Sequence, residues 1–388
     1  MNGSWVLSKR KLFYIVWAFY SSMYCLFWVS NLKRSYSVQG LLKISNYITV
    51  VLLILLFVSK RWFDRREFNR YILLGAIFIG VEIFVSNLDF TVLILFILCA
   101  ADIDFREFIR FDIKIKLFWL FAILLLYYLG ITKNFVGYIN GAYKQALGFQ
   151  HPNTFAMFVL IILLEWLYLR SRIMKLAERL CILLVWFVAM QISLSRTTGY
   201  MFLVVYILFI LYRYFPKIFD YKIIKILFSS SMPVMTVLSV IITKLYIKGS
   251  RFAIELDKIM THRIRLQSLY WKVYSVQLFG QRINMDSSFQ VILDSAYIRC
   301  LLSYGIIFTL FLCYFYTIVT YKSFSKGHAE LAFLMVFFTV MGFGETSMLR
   351  IIMNITFLAL LNQSLFIDEE TSKGVKNNGK SKRYRSGV

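Results

Sequence analysis

GFQHPNTFAMFVLIILLEWLYLR, residues 148–170, decides the fold. Its second part is an apolar run interrupted by one carboxylate, Glu165, and at 1.5 Å per helical residue it is long enough to cross a hydrocarbon layer. Its first part sets Gly148, His151, Pro152 and Asn153 before that run, and Pro at the first helical turn marks a helix start. Residues 152–169 therefore read as a membrane span with His151 at its lip.

The rest of the chain repeats the pattern. Sixty per cent of the 388 residues are hydrophobic and the mean hydropathy is +0.68, whereas soluble chains are about half apolar. There are only 3 prolines, and apolar runs of roughly 15 to 25 residues suit helices better than the alternating ten-residue strands of a membrane barrel. The expectation is an all-α polytopic membrane protein, 1–388 as a single transmembrane domain, with about twelve spans. They fall near 11–30, 44–59, 71–86, 90–101, 115–131, 152–169, 180–195, 197–212, 226–245, 294–320, 330–342 and 351–367. The first follows SKRK and lacks a cleavage pattern, so it is read as a retained span. The five cysteines, Cys25, Cys99, Cys181, Cys300 and Cys313, lie in or beside apolar segments and read as small hydrophobes.

Charge sets the orientation. With both termini placed in the cytoplasm, the loops and tails on that side hold well over half of the 44 Lys and Arg, as the positive-inside rule requires. An exception runs from Lys248 to Arg282, within a large outer loop at 246–293. An outward excess of cations there asks for a reason other than orientation. The basic tail, 368–388, reads as disordered and able to touch anionic lipid.

The formal charge of +24 is spread over many loops without an RNA-binding motif, so nucleic acid is not expected as a partner. No Walker loop, dinucleotide fingerprint, HExxH or Cys/His pairing occurs, so neither a nucleotide cofactor nor a metal site is indicated. The remaining polar groups, His151, Asn153, Arg196, Asp294, Glu345 and Arg350, all map to the outer face. Glu82 and Glu165 are the only acidic side chains placed clearly inside spans. A transporter would more often hold ionisable groups at mid-membrane, so the pattern favours chemistry at the outer surface.

Within the outer loop, RFAIELDKIMTHRIRLQSLYWKVY, residues 251–274, reads as one helix. Arg251, Glu255, Lys258, His262 and Arg265 share a polar stripe; Phe252, Leu256, Ile259, Leu266 and Tyr270 share an apolar one. Arg263 falls in the apolar stripe and needs an anionic partner. That partner is either a structural carboxylate, Glu345 or Asp286, or a ligand's carboxylate or phosphate; snorkelling of the side chain is the third possibility.

GFQHPNTFA (148–156), SLSRTTGYMFL (193–203), THRIRLQSLYW (261–271) with LFG (278–280), and LDSAYIRCLLSYGIIF (293–308) together resemble a known series. It is that of the bacterial Wzy-type polysaccharide polymerases of the O-antigen polymerase/ligase family. The resemblance implies a GT-C-like glycosyltransferase architecture in the bacterial cytoplasmic membrane. It further implies that a glycan moves from a polyprenyl diphosphate carrier to a sugar hydroxyl at the outer face, without cofactor or metal, to build capsular polysaccharide, exopolysaccharide or O-antigen. The expected partners are the polyprenyl diphosphate-linked oligosaccharide, membrane lipid, a chain-length regulator and a flippase.

On this resemblance Arg196, from the Ser-Arg turn, and Arg263, from the outer loop, bind the diphosphate, with Arg251 and Arg265 as weaker candidates that steer it. The alternative for Arg196 is a snorkelled span end. The acceptor hydroxyl needs a base, for which Asp294, His151 and Glu345 are candidates. Asp294 could instead cap a helix, and His151 is read as a ligand contact more than a base. Asn153, Glu345 and Tyr297 are the expected sugar contacts. The ligase branch carries His-Asn where this chain has Asp294-Ser295, which favours polymerase over ligase. A non-catalytic transporter of lipid-linked glycan stays open as a different class.

Overall fold

The computed structural model describes residues 3–34, 36–59, 65–139, 142–283 and 293–362, and these are mostly helical. The α-helices are α1 (Gly3–Tyr24), α2 (Tyr36–Val58), α3 (Arg65–Val85), α4 (Leu88–Cys99), α5 (Phe105–Tyr128), α6 (Pro152–Arg170), α7 (Leu176–Ser193) and α8 (Arg196–Tyr214). They continue with α9 (Lys222–Ser229), α10 (Ser231–Ile247), α11 (Arg251–Ile259), α12 (Arg263–Val273), α13 (Ala296–Arg299), α14 (Gly305–Ser325) and α15 (Ala329–Met341). A hairpin of β1 (Val136–Ile139) and β2 (Ala142–Gln145), with Val136 opposite Gln145, precedes α6.

Among the described residues five helices are long and apolar enough to cross a membrane: Lys9–Val29, Gly40–Val58, Pro152–Arg170, Leu176–Ser193 and Ala296–Ser325. A sixth results if α9 and α10, which meet at a 47° bend, form one span. Leu74–Val85, Thr198–Tyr214 and Ala329–Met341 are apolar but shorter. The chain is thus an all-α protein with membrane-spanning helices, and length and composition give five to six spans where the sequence suggested about twelve. Apolar side chains point outward along several of these helices, among them Val51 and Leu55 of α2, Leu180 and Leu184 of α7, and Val237 and Ile241 of α10. Such a surface suits hydrocarbon, not water.

Local chemistry explains the helix starts. The Asn87 side chain accepts from the Asp89 N–H at 3.0 Å to open α4, and Asp104 accepts from the Glu107 N–H at 2.9 Å to open α5. At α6 His151 itself is the cap: its Nδ1 accepts from the Asn153 N–H at 3.1 Å, with Pro152 in the first turn. The LFG motif also finds a role. The Gln277 and Leu278 carbonyls accept from Ile306 and Ile307 at 3.1 Å each, covering N–H groups freed where a π-helical stretch, Cys300–Tyr304, interrupts the run into α14. Gly280 and Gly305, both at φ +85°, lie backbone against backbone, and a Cβ on Gly280 would stand 2.1 Å from the Ser303 carbonyl oxygen.

Two sequence expectations need correction. Residues 251–274 are not one helix: Thr261 and His262 take left-handed φ values of +55° and +64° and separate α11 from α12. The expected apolar stripe also fails, since Phe252 and Ile259 are exposed while Ala253 and Asp257 are buried. Residues 351–362, expected to begin a last span, hold only a 3-10 turn, Ile355–Ala359. The segment is buried throughout and runs from Arg350, bonded to Tyr24 at the end of α1, to Asn362, bonded to the Ala100 and Ile103 carbonyls below α4. Non-helical backbone is tolerated at such depth because protein, not lipid, surrounds it. Residues 284–292, with Asp286, and the tail 368–388 lie outside the described residues.

The bundle interior also holds charge that the sequence reading missed. The Lys116 ammonium sits between Asp112 Oδ2, 2.5 Å away, and Glu165 Oε1, all three side chains at most 2% exposed. The Trp17 indole N–H donates to Asp112 Oδ1 at 2.7 Å. Glu165 was expected inside a span and Lys116 at the first turn of one, near 115–131; Asp112 falls in a stretch rich in Arg and Lys that reads as a cytoplasmic loop.

Candidate active site

One end of the bundle gathers the ends of α1, α11 and α15 with the starts of α6, α8, α12 and α13. The break before α12 aims Arg263 inward. Asp257, buried on α11, accepts from the Arg265 N–H at 2.9 Å and faces His262 Nδ1 at 3.1 Å, so it caps α12 from the preceding helix and pins the left-handed turn. Arg263 Nη1 then donates to Glu345 Oε1 at 2.7 Å and to the Gly344 carbonyl, and Nε lies 3.9 Å from Asp294 Oδ2. Gly344 admits this approach: a Cβ there would stand 3.3 Å from Arg263 Nη1. Burial alone would lower the guanidinium's pKa, but Glu345 and Asp294 outweigh it and hold the charge on. Of the alternatives for Arg263, the Glu345 ion pair is present.

Asp294 is not the cap of its helix. Ser295 Oγ takes that role, accepting from the Ile298 N–H, which leaves the Asp294 carboxyl free and partly exposed beside Arg263. Burial raises its pKa to about 6; Arg263 opposes the rise and Glu345 adds to it.

His151 faces the same group of charges. Burial lowers its pKa, as do Lys144 and Arg263, while Glu345 opposes them. With Nδ1 accepting from Asn153, the neutral ring carries its proton on Nε2 and presents a donor. The Phe135 ring packs against it at 5.4 Å. Nδ1 is thus engaged as the helix cap, and Nε2 is the ring's donor.

Asn153, Thr198 and Glu345 line a cleft of about 80 Å³ together with Trp28 and Arg350. Arg350 was noted in the sequence but given no role. Its guanidinium lies 3.5 Å from the centroid of the Trp28 ring and donates to the Tyr24 hydroxyl at 2.9 Å. The aromatic pair comes from the end of the first helix, more than 300 residues away, so no local motif could have signalled it.

The other candidates divide. Arg196 opens α8, whose next turn brings Thr198 to the cleft, but the Arg196 side chain lies outside the described residues. Arg251 and Arg265 are exposed on α11 and α12. Tyr297, expected at the sugar, is 1% exposed and its hydroxyl donates to the Thr339 carbonyl in the core, so it has no free surface to offer a ligand.

Comparison with protein-family models, with curated proteins and with solved structures gave no match.

Proposed function

We propose that this chain is a membrane glycosyltransferase that polymerises polyprenyl-diphosphate-linked repeat units into a surface polysaccharide, as the resemblance to Wzy-type polymerases implies. The observation that supports it most is the convergence of Arg263, Asp294, Glu345 and His151, four residues distant in sequence, at one end of the bundle. The twelve-span, GT-C-like architecture, the bacterial cytoplasmic membrane and the outward placement of the site belong to the same proposal.

In this reading the acceptor hydroxyl attacks the anomeric carbon of the donor sugar while the carbon–oxygen bond to the lipid diphosphate breaks. Asp294 takes the hydroxyl proton. The leaving diphosphate gains charge, and Arg263, whose Nη2 makes no hydrogen bond among the described residues, meets it with Arg196 and Arg350. Neutral His151 donates from Nε2 to sugar or phosphate oxygen. Glu345 holds Arg263 in orientation and, with Asn153, faces the sugar.

Deleting the gene in its own host tests this: single repeat units should collect on the lipid carrier and long polymer should disappear. An unchanged polymer length distribution would overturn the reading. The buried Asp112–Lys116–Glu165 triad favours a second reading, a transporter of lipid-linked glycan, because ionisable groups inside a bundle often mark a pathway. Its three groups are closed to solvent and paired with one another, which suits a fixed internal tie better than a route.

A further inference from the structure

A groove between α1 and α5 lies at the end of the bundle away from the candidate site. It has a volume of about 640 Å³ and takes Lys11, Ile15 and Ala18 from α1 and Glu107, Arg110 and Lys114 from α5. Tyr14 and Phe111, whose rings meet edge to face at 4.9 Å, complete its lining. Three cations against one carboxylate leave the lining at +2. The groove is therefore polar and positive at its head, while Ile15 and Ala18 make its α1 wall apolar.

The α5 face that forms it continues past the groove. Glu107, Arg110, Lys114, Phe118, Phe121 and Leu125 follow one another in steps of three or four residues, so they share one side of the helix. The first three are charged and the last three are apolar and exposed, at 65%, 66% and 58%. From Lys114 to Leu125 the helix rises roughly 16 Å, about half of a hydrocarbon core roughly 30 Å thick. Charge followed by one leaflet's depth of exposed hydrocarbon matches an amphiphile lying along the helix.

We propose that this groove binds an anionic glycerophospholipid, its phosphate held by Lys11, Arg110 and Lys114 and one acyl chain laid along Phe118, Phe121 and Leu125. A zwitterionic headgroup would bring no net charge to a lining of net +2, in which Glu107 alone opposes three cations. Free phosphate would meet only the polar head and leave the apolar face uncovered.

The full-length protein reconstituted in phosphatidylcholine vesicles, with trace acyl-spin-labelled phosphatidylglycerol or phosphatidylcholine, tests this by the ratio of their association constants at the protein surface. Phosphatidylglycerol should be preferred, with about five-fold lost for each cation removed, and added salt should reduce the preference. Arg110→Gln with Lys114→Gln should bring the ratio close to unity, whereas Lys217→Gln with Lys222→Gln, the same charge change at another exposed site, should leave it. If the first pair does not reconstitute, Arg110→Gln alone carries the test, with Arg110→Lys expected to retain most of the preference. A ratio near unity in the unaltered protein, an equal loss in both double variants, or displacement of the lipid by inorganic phosphate beyond what sodium chloride of the same ionic strength produces would each overturn the proposal.

Discussion

Asp294 stands one residue before the cap that Ser295 provides, so its carboxyl lies outside the cap, beside Arg263. Its raised pKa, about 6, makes two linked predictions. If it removes the acceptor proton, kcat/KM rises with pH through about 6 and levels off above, and Asp294→Asn lowers turnover by about a hundredfold or more. A carboxyl whose folded pKa is raised contributes stability that is complete below its unfolded value, near 4, and is lost as pH rises through about 6. At neutral pH the charged form is therefore a liability, so Asp294→Asn should keep or raise Tm while activity falls. Unchanged turnover in this variant, measured on purified enzyme, would remove Asp294 as the base. Arg263 needs a different test because Glu345 pairs with it. Arg263→Met leaves two carboxylates without their cation and should cost roughly 3 to 5 kcal/mol, seen as lost protein level. Adding Glu345→Gln should restore the protein. Polymer made by that double variant would show that Arg263 serves only the ion pair; its absence in a stable double variant, with polymer still made by Glu345→Gln alone, supports diphosphate binding.

At the scale of elements, the buried triad ties α5 to α6, and its charges do not balance: one ammonium faces two carboxylates. Glu165 Oε2 has no partner among the described residues. Glu165→Gln should therefore be tolerated or stabilising, whereas Lys116→Met strands both carboxylates and should cost roughly 3 to 5 kcal/mol; thermal unfolding in detergent separates the two, and equal losses would contradict the triad. The same triad shows why elements were only partly legible. Apolar runs at 9–29 and 152–170 announce their helices because nothing but a span accounts for them. The start of α5 is hidden because its charges read as solvent-exposed, and beside the local Asp112–Lys116 pair it is the distant partners Glu165 and Trp17 that let them sit inside. The break at Thr261 and His262 is hidden too, since neither residue is a glycine or proline, and the Asp257 cap that holds it is itself a tertiary arrangement. Residues 351–362 are apolar enough for a span, but burial on every side allows them an irregular path. Asp294, His151 and Glu345 were legible as polar groups beside apolar runs. Arg350 acquires its role from Trp28 and Tyr24, which sequence proximity does not reveal.

For the whole molecule, the helix directions make orientation testable with two positions. The bent pair α9 and α10 runs from one end of the bundle to the other, with Lys217 just before it and Lys248 just after, both exposed. Lys248 shares its end with α11, α12 and the candidate site. The proposed orientation, taken from the Lys and Arg distribution, puts that end outside and predicts that Lys248→Cys reacts with a membrane-impermeant thiol reagent on sealed cells. Lys217→Cys should react only after the cells are opened. Cys181, the one exposed native cysteine among the described residues, is replaced by Ala in both. Under the proposed function the consequence reaches beyond topology, because a diphosphate-linked glycan at the outer face would have no nucleotide-sugar supply and its transfer would draw on the carrier bond alone. Labelling of Lys217→Cys but not Lys248→Cys in sealed cells would turn Arg263 and Asp294 toward the cytoplasm, and outer-face polymerisation would then fail whatever the site variants do.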